Sequence, residues 1–230
     1  MQLVESAYKD LVVAIDGTSG SGKSSTSRGV AQALGLRYLD TGAQFRAVAL
    51  AMLEQGVDIA DPEAIARHAA ALLIESGTDP DHPTIRLDGV DVEGEIRGEA
   101  ATAAVSPVAA VPAVRERLLQ LQRAIIGEGG IVVEGRDIGS VVAPDADLKI
   151  YLTADPAARA ARRALEAGGD VEATEADLLR RDTIDSSRAA APLVVPEGAV
   201  HVDSTFDSLE QVIARIVAMA REVAESTPHG

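Results

Sequence analysis

Gly17-Thr18-Ser19-Gly20-Ser21-Gly22-Lys23-Ser24 decides the fold, since it stands between an apolar run and a helical pattern. The run before it, Leu11 to Ile15, is what a parallel strand covered on both faces requires. Glycines at this spacing let successive backbone N–H groups approach and wrap a phosphate chain. The spacing is therefore typical of a P-loop, and residues 17–25, with Ser25 as the last, are the candidate nucleotide-binding residues.

A P-loop predicts a bound nucleoside triphosphate. Lys23 would reach the β- and γ-phosphates, and the Ser24 hydroxyl would reach Mg²⁺. Lysine occurs at only two other positions, 9 and 149, so its placement in this loop by chance is improbable. Asp16 ends the strand beside the loop and could hold a water on Mg²⁺ or simply cap the loop. The loop alone does not separate a kinase from a GTPase, a motor or a regulatory ATPase.

Composition narrows the partners. The chain has 230 residues and a formal net charge of −15, so we expect one domain that binds neither nucleic acid nor an anionic membrane. It has no cysteine, which excludes disulfides and thiolate–zinc sites. Its four histidines are too scattered along the chain to suggest a metal cluster. The N-terminus has no signal-peptide pattern and no run is long enough to span a membrane, so we expect a cytoplasmic protein.

A second anion site is expected after the second strand, Leu36 to Leu39. Thr41 is a natural N-cap for a helix from Ala43 to about Gln55, and Arg46 lies just over one turn inside it. A helix that starts at the carboxyl end of a parallel strand points its amides into the ligand crevice. Taken alone, Arg46 would more often belong to a solvated helix face.

Residues 61–105 interrupt the alternation of strands and helices. A helix should run from Pro62 to about Glu75, and Asp88-Gly89 between short apolar runs predicts a β-hairpin. We therefore predict an inserted subdomain within a single domain of residues 1–230. Pro107 and Pro112 should mark a break between two helices, and Arg115 lies in the first turn of the second, where the helix dipole disfavours a cation unless it meets a ligand.

The second half of the chain continues the α/β pattern. Ile131 to Val133 is the third core strand, and Glu134-Gly135-Arg136-Asp137 follows at its carboxyl end, where ligands bind. Strands from Leu148 to Leu152 and from Ala199 to Asp203 come next, and Ser208 with Gln211 forms a capping box for the last helix.

Two arginine-rich helices, residues 156–167 and 174–188, are separated by Gly168-Gly169, which suggests a closing lid over about residues 156–188. Arg181 and Asp185 could face a ligand or form an exposed i,i+4 ion pair worth about 0.3–0.5 kcal/mol. Arg46, Arg136, Arg181 and Arg188 all lie on elements expected at the P-loop edge. Moving a phosphoryl group between two phosphate chains needs both anions held in line, a task that suits guanidinium groups.

Several motifs taken together resemble the cytidylate kinase family, the bacterial (d)CMP kinases among the P-loop nucleoside monophosphate kinases. The resemblance covers about residues 11–225. It rests on the P-loop, on Leu39 to Arg46, on Val92 to Arg97, on Gly135 to Gly139, and on Arg181 to Pro192 with its Asp-x-x-Arg-x-x-Ala-Pro-Leu ending. It implies a five-stranded parallel sheet of order 2-3-1-4-5, a monophosphate-binding subdomain and a lid. The implied reaction is phosphoryl transfer from ATP to CMP or dCMP, with Mg²⁺.

The resemblance also assigns roles to residues. By this likeness Lys23, Arg136 and Arg188 act in catalysis. The same likeness implies that the acceptor phosphate is contacted by Thr41, Arg46 and Arg136, and cytosine by Ser106, Arg115 and Asp137. It implies that the ribose is contacted by Arg181 and Asp185, and that Arg188 acts on the transferred phosphate. The triphosphate would also be contacted by Arg159 and Arg163. Three positions depart from the family pattern: Thr41 replaces a frequent Ser, Phe45 a common Tyr, and Glu134 a frequent Asp.

Two other interpretations compete with a monomeric (d)CMP kinase. A non-catalytic nucleotide sensor would bind ATP through the same loop but leave the acceptor arginines without a ligand. A sister kinase would use another acceptor, such as UMP, AMP or shikimate.

Overall fold

The computed structural model describes residues 8–167 and 170–226. The strands are β1 Val12–Gly17, β2 Arg37–Asp40, β3 Ile74–Ser76, β4 Ile85–Leu87, β5 Val90–Asp91, β6 Ile131–Gly135, β7 Leu148–Thr153 and β8 Val200–Asp203. The helices are α1 Lys23–Leu34, α2 Thr41–Glu54, α3 Pro62–Ala69, α4 Glu99–Ala109, α5 Pro112–Ile126, α6 Pro156–Ala167, α7 Val171–Ser187 and α8 Leu209–Ser226.

The central sheet is parallel and has the predicted topology. Its order is β2-β6-β1-β7-β8, which is 2-3-1-4-5 when its five strands are counted along the chain. In the register, Asp16 stands beside Gly135 of β6 and Tyr151 of β7. The carboxyl ends of β1, β2 and β6 therefore meet at one edge, where the P-loop begins.

Both faces of this sheet are covered, as the apolar run of β1 predicts. Val13 and Ile15 pack into a core with α1 and α8, whereas Ala14 points to the opposite face and packs with Ile126 at the end of α5. Alternating side chains thus enter different layers. The five-stranded sheet is consequently a rigid platform for the loops at its carboxyl edge.

A second, three-stranded antiparallel sheet has the order β3-β4-β5 and lies within residues 61–105. The predicted hairpin is present, and Asp88 and Gly89 both have positive φ (51° and 83°), as a type I′ turn requires. The helix predicted to reach Glu75 ends at Ala69 instead, because Ile74–Ser76 pairs with β4 as an edge strand. Pairing with a partner distant in sequence overrides the local helical pattern there.

Two predicted helix boundaries are wrong. Pro107 does not end a helix but lies inside α4, where the buried side chains of Val105, Val108 and Ala109 keep the last turn packed on the core. The second arginine-rich helix, α7, begins at Val171 rather than Thr174, since the Asp170 carboxylate caps it by accepting from the N–H of Ala173 at 2.8 Å.

The capping box at the last helix is confirmed. The Ser208 hydroxyl accepts from the Gln211 N–H at 3.3 Å, and the Gln211 amide oxygen accepts from the Ser208 N–H at 2.8 Å. The Gly168-Gly169 break lies outside the described residues. No helix within residues 8–167 and 170–226 is long and apolar enough to cross a bilayer.

Candidate active site

A cavity of about 510 Å³ opens at the carboxyl edge of the central sheet. It joins the P-loop to the small sheet and to α4, α5, α6 and α7. Most of the predicted site residues line it: Ser19, Gly20, Gly22, Lys23, Ser24, Ser25, Thr41, Arg46, Ser106, Arg115, Arg136, Asp137, Arg163, Arg181, Asp185 and Arg188. Side chains from distant parts of the chain therefore share one chamber.

The P-loop has the backbone geometry that its sequence demands. Gly17 has φ 153°, and a Cβ atom there would lie 1.9 Å from the carbonyl oxygen of Leu152. Gly20 and Gly22 also have positive φ, and Gly22 is the N-cap of α1. The backbone angles at these positions are thus ones that glycine adopts without strain, and they place the N-terminus of α1 directly behind the loop.

Lys23 is buried, and its ammonium donates to the carbonyl of Thr18 at 2.6 Å. Burial, reinforced by the positive charge of Arg136, lowers the pKa of Lys23 to about 7. A phosphate group beside it would stabilise the charged form.

Glu134, at the end of β6, is the buried carboxylate that lines the cavity beside Lys23 and Ser24. It accepts a hydrogen bond from the hydroxyl group of Tyr38, and the Ser24 hydroxyl lies nearby. Burial and the nearby charge of Asp40 raise the pKa of Glu134 to about 7. A divalent cation close to this carboxylate would favour its ionised form.

Asp16 caps the turn after β6 rather than the P-loop. Its two carboxylate oxygens accept from the N–H groups of Ile138 and Gly139, each at 2.7 Å, and its side chain does not line the cavity. Burial raises the pKa of Asp16 to about 6 against the opposing effect of these two bonds. Asp16 therefore fixes the turn after β6, and the geometry does not support the predicted metal role.

The N-cap of α2 is Asp40 and not Thr41, since Asp40 accepts from the N–H of Ala43 at 2.9 Å. The Thr41 hydroxyl donates instead to the carbonyl of Glu134 at 2.7 Å, which ties β2 to β6. Arg46 is half-buried and reaches across to α4, where it donates to the Thr102 hydroxyl at 2.7 Å and to the carbonyl of Ile96 at 3.2 Å. It is not a solvated residue of a helix face.

At one end of the cavity Arg115 and Asp137 form a buried ion pair. Arg115 also donates to the carbonyl of Ala109 at 3.1 Å, and its guanidinium lies 5.2 Å from the centre of the Phe45 ring. Ser106 is buried in the same wall. The three residues assigned to cytosine by resemblance are thus brought to one pocket.

Arg136 connects the two halves of the cavity. Its Nη2 donates to the Ser19 hydroxyl in the P-loop at 2.9 Å, and its Nε donates to the Asp185 carboxylate on α7 at 3.0 Å. Asp185 lies 3.7 Å from Arg188, which is also 3.7 Å from Asp137. A chain of alternating charges therefore runs from the P-loop to the Arg115 pocket.

Arg181 and Asp185 are both buried, so the exposed i,i+4 ion pair is not what they form. Within the part of the chain that the structure describes, buried donor atoms without a hydrogen-bond acceptor include Nε of Arg181 and Nη2 of Arg188. Burial is also the main cause that lowers the pKa of both side chains. Unsatisfied cationic donors in a cavity wall are what an anionic ligand would satisfy.

Of the two arginines assigned to the triphosphate, only Arg163 lines the cavity. Arg159 is buried against the P-loop, where it donates to the carbonyl of Ser19 at 2.7 Å and to Asp182 at 2.6 Å. Arg162, which the sequence analysis did not assign, lines the cavity and donates to the carbonyl of Ser204 at 2.6 Å. The i, i+3, i+4 spacing of Arg159, Arg162 and Arg163 places the three side chains on one face of α6 but does not determine how deeply each is buried.

The comparisons with known proteins agree with one another. A protein-family model described as cytidylate kinase matches residues 13–222. A protein of Streptomyces griseus named cytidylate kinase is 55% identical over 219 residues, covering 94% of this chain and 95% of its own length. A Rhodococcus opacus protein of the same name is 52% identical over 218 residues, covering 92% and 95%.

Among solved structures, an uncharacterised protein from Eubacterium ventriosum aligns with a TM-score of 0.52 at 9% identity, covering 93% of this chain and 99% of its own. At that identity the likeness concerns the fold alone.

Proposed function

The chain belongs to the cytidylate kinase family, and from that premise we propose that it transfers the γ-phosphoryl group of ATP to CMP or dCMP. The products are ADP and CDP or dCDP. A phosphate oxygen of the acceptor forms a bond to the γ-phosphorus, while the bond from that phosphorus to the β,γ-bridging oxygen breaks and leaves ADP.

The single observation that carries this proposal is the continuous chain of contacts from the P-loop to the Arg115–Asp137 pocket. Arg136 touches Ser19 in the loop and Asp185 in the opposite wall. A protein that only senses ATP would need the P-loop but not the Arg115–Asp137 pocket linked to it. An enzyme that aligns two phosphate chains needs both, held at a fixed separation.

The acceptor phosphate would be bound by Thr41 and Arg46 of α2 and by Arg136, which directly follows β6. Arg181 and Asp185 would hold the ribose, and Arg188 would stabilise the phosphoryl group in transit. Lys23 would neutralise the charge that develops on the β- and γ-phosphates, and Arg163 would add to the triphosphate site. Guanidinium groups fixed before the substrate arrives need little reorganisation in the transition state.

The oxygen donors of this cavity fit Mg²⁺, the cation that accompanies ATP. The Ser24 hydroxyl and the Glu134 carboxylate lie together beside Lys23, and hard oxygen ligands of this kind suit Mg²⁺. When bound, the cation would neutralise phosphate charge. We therefore propose Glu134, rather than Asp16, as the carboxylate on the Mg²⁺ side of the site.

The pocket favours cytosine because its polar groups match those of that base. A carboxylate can accept from the N4 amino group, while an arginine and a hydroxyl can donate to N3 and O2. Asp137, Arg115 and Ser106 supply this set. Residues 61–105 as monophosphate-binding subdomain, residues 156–188 as lid, the cytoplasmic location and the monomeric state remain predictions.

A coupled ADP-release assay across CMP, dCMP, UMP, AMP and shikimate tests the proposal. We expect turnover with CMP and dCMP, and Lys23→Ala should lower kcat by at least about 10²–10³-fold because it removes charge stabilisation at the transferred group. Lys149→Ala is the matched control, since its ammonium donates to the carbonyl of Glu197 at 3.2 Å, outside the cavity lining. Turnover with another acceptor alone would identify a sister kinase, and ATP binding without any transfer would identify a sensor.

A further inference from the structure

One face of α7 rests on the P-loop. Leu178, Asp182 and Asp185 are spaced i, i+4 and i+7, so they share a face of the helix. A Cβ atom on Gly20 would lie 3.2 Å from a methyl carbon of Leu178, and Asp185 accepts from Arg136 at 3.0 Å. Asp182 lies between these two contacts and was not assigned a role by motif or resemblance.

The Asp182 carboxylate divides its two oxygens between the P-loop and α6. Oδ1 accepts from the backbone N–H of Ser19 at 2.8 Å, and Oδ2 accepts from Nη1 of Arg159 at 2.6 Å. The same Nη1 donates to the carbonyl of Ser19 at 2.7 Å. The Asp182 side chain is 14% exposed, so solvent screens these charge-assisted bonds only weakly.

Every polar group of Ser19 is consequently used. Its N–H meets Asp182 of α7, its carbonyl meets Arg159 of α6, and its hydroxyl meets Arg136 at the end of β6. A loop residue bound on three sides has little freedom to move relative to those elements. The position of the donor loop is thereby linked to the helix that carries Arg181 and Asp185.

We infer that Asp182 is a positioning residue for phosphoryl transfer, which fixes the acceptor-binding side chains of α7 at a set distance from the P-loop. The inference rests on the proposed function. Asp182 does not line the cavity, so it acts through Ser19, Arg159 and its own helix rather than on a substrate.

A carboxylate facing the loop that binds a triphosphate would repel it unless neutralised, and Arg159 supplies the neutralising charge. The neutralised pair therefore leaves the donor site nearly unaffected while it organises the acceptor side. This difference between the two substrates separates a positioning role from a general contribution to folding, since loss of fold would weaken the binding of both substrates together.

The test compares Asp182→Asn and Asp182→Ala with Asp177→Ala. Asp177 lies on the same helix, but its carboxylate is 44% exposed and pairs with Arg180 at 2.6 Å on the surface. Steady-state kinetics should show that kcat/KM for CMP falls about 10- to 100-fold in the Asp182 variants, the loss typical of a displacement of about 1 Å at a reacting group. The KM for ATP should stay unchanged or fall, and Asp177→Ala should match the wild type.

A double-mutant cycle with Arg159→Ala adds a second readout. The combined loss should be smaller than the product of the single losses, because both changes break the same link to Ser19. Asp182 variants that equal Asp177→Ala, or that lose ATP and CMP affinity in proportion to a lowered Tm, would overturn the positioning role. Absence of transfer to CMP by the wild type would instead refute the proposed function, so the two failures are distinguishable.

Discussion

Replacing Asp137 by asparagine should change which base the enzyme accepts. The Asp137 carboxylate is buried, pairs with Arg115 and lies 3.7 Å from Arg188. Uracil presents O4 where cytosine presents an amino group and N3–H where cytosine presents an acceptor. In the wild type, O4 of uracil would therefore face the Asp137 carboxylate, where two acceptors meet without a donor. Its N3–H would face the Arg115 guanidinium, where two donors meet without an acceptor.

The size of the effect follows from burial. A buried polar group left unpaired costs about 1–3 kcal/mol, and two such mismatches correspond to a preference for CMP over UMP of roughly 10²- to 10⁴-fold in kcat/KM. Asp137→Asn can turn its NH₂ group toward O4 and so removes one of the two mismatches. The preference should then fall by about 10- to 100-fold.

The assay is the ratio of kcat/KM for CMP to that for UMP, measured on one preparation of each protein. Removal of one partner of a buried ion pair is also expected to destabilise the fold by about 3–5 kcal/mol, but the active fraction cancels in this ratio. Asp185→Asn is the matched control, because Asp185 is equally buried and also lies 3.7 Å from Arg188, yet would meet the ribose that both substrates share. An unchanged ratio in Asp137→Asn would remove Asp137 from base recognition.

Two further predictions concern proton linkage and stability. The pKa of Lys23 is lowered to about 7, and a bound phosphate group should raise it, so ADP without divalent cations should bind more weakly as pH rises through 7. At about pH 8 the binding of ADP should therefore be accompanied by the uptake of close to one proton, which calorimetry in two buffers detects. Release of a proton on binding would contradict the lowered pKa. Gly129→Ala should destabilise the fold by about 1–3 kcal/mol in urea unfolding, because φ is +100° and the new Cβ would lie 2.1 Å from the carbonyl oxygen of Asp10. Gly127→Ala, with φ +55° and its first neighbour at 3.7 Å, should cost less, and equal losses would refute the steric argument.

The parts of the fold that could be predicted from sequence are those set by local chemistry. The P-loop glycines need backbone angles that other residues adopt only with strain, and Asp88-Gly89 needs the turn that it forms. The Ser208 capping box is likewise complete within four residues. The order of the central sheet came from the family resemblance, because periodicity alone does not order parallel strands.

The errors concern contacts between residues distant in sequence. Asp16 and Glu134 both end core strands, and nothing local distinguishes the one that caps the turn after β6 from the one that faces the cavity. Which of Asp40 and Thr41 caps α2 depended on whether the carbonyl of Glu134 would be near enough to accept from threonine. Each choice is decided by pairing across the sheet.

The buried arginines explain why an acidic protein can hold two anions. Burial lowers the pKa of Arg46 to about 10, and the positive charge of Arg181 adds to this; burial likewise lowers the pKa of Arg181, with Arg136 next in effect. The positive charges of these side chains therefore repel one another, and the carboxylates of Asp185 and Asp137 lie among them as ion-pair partners of Arg136 and Arg188. Two phosphate chains would supply the missing negative charge. Bound phosphate groups would relieve this repulsion, which would favour the binding and the alignment of both substrates.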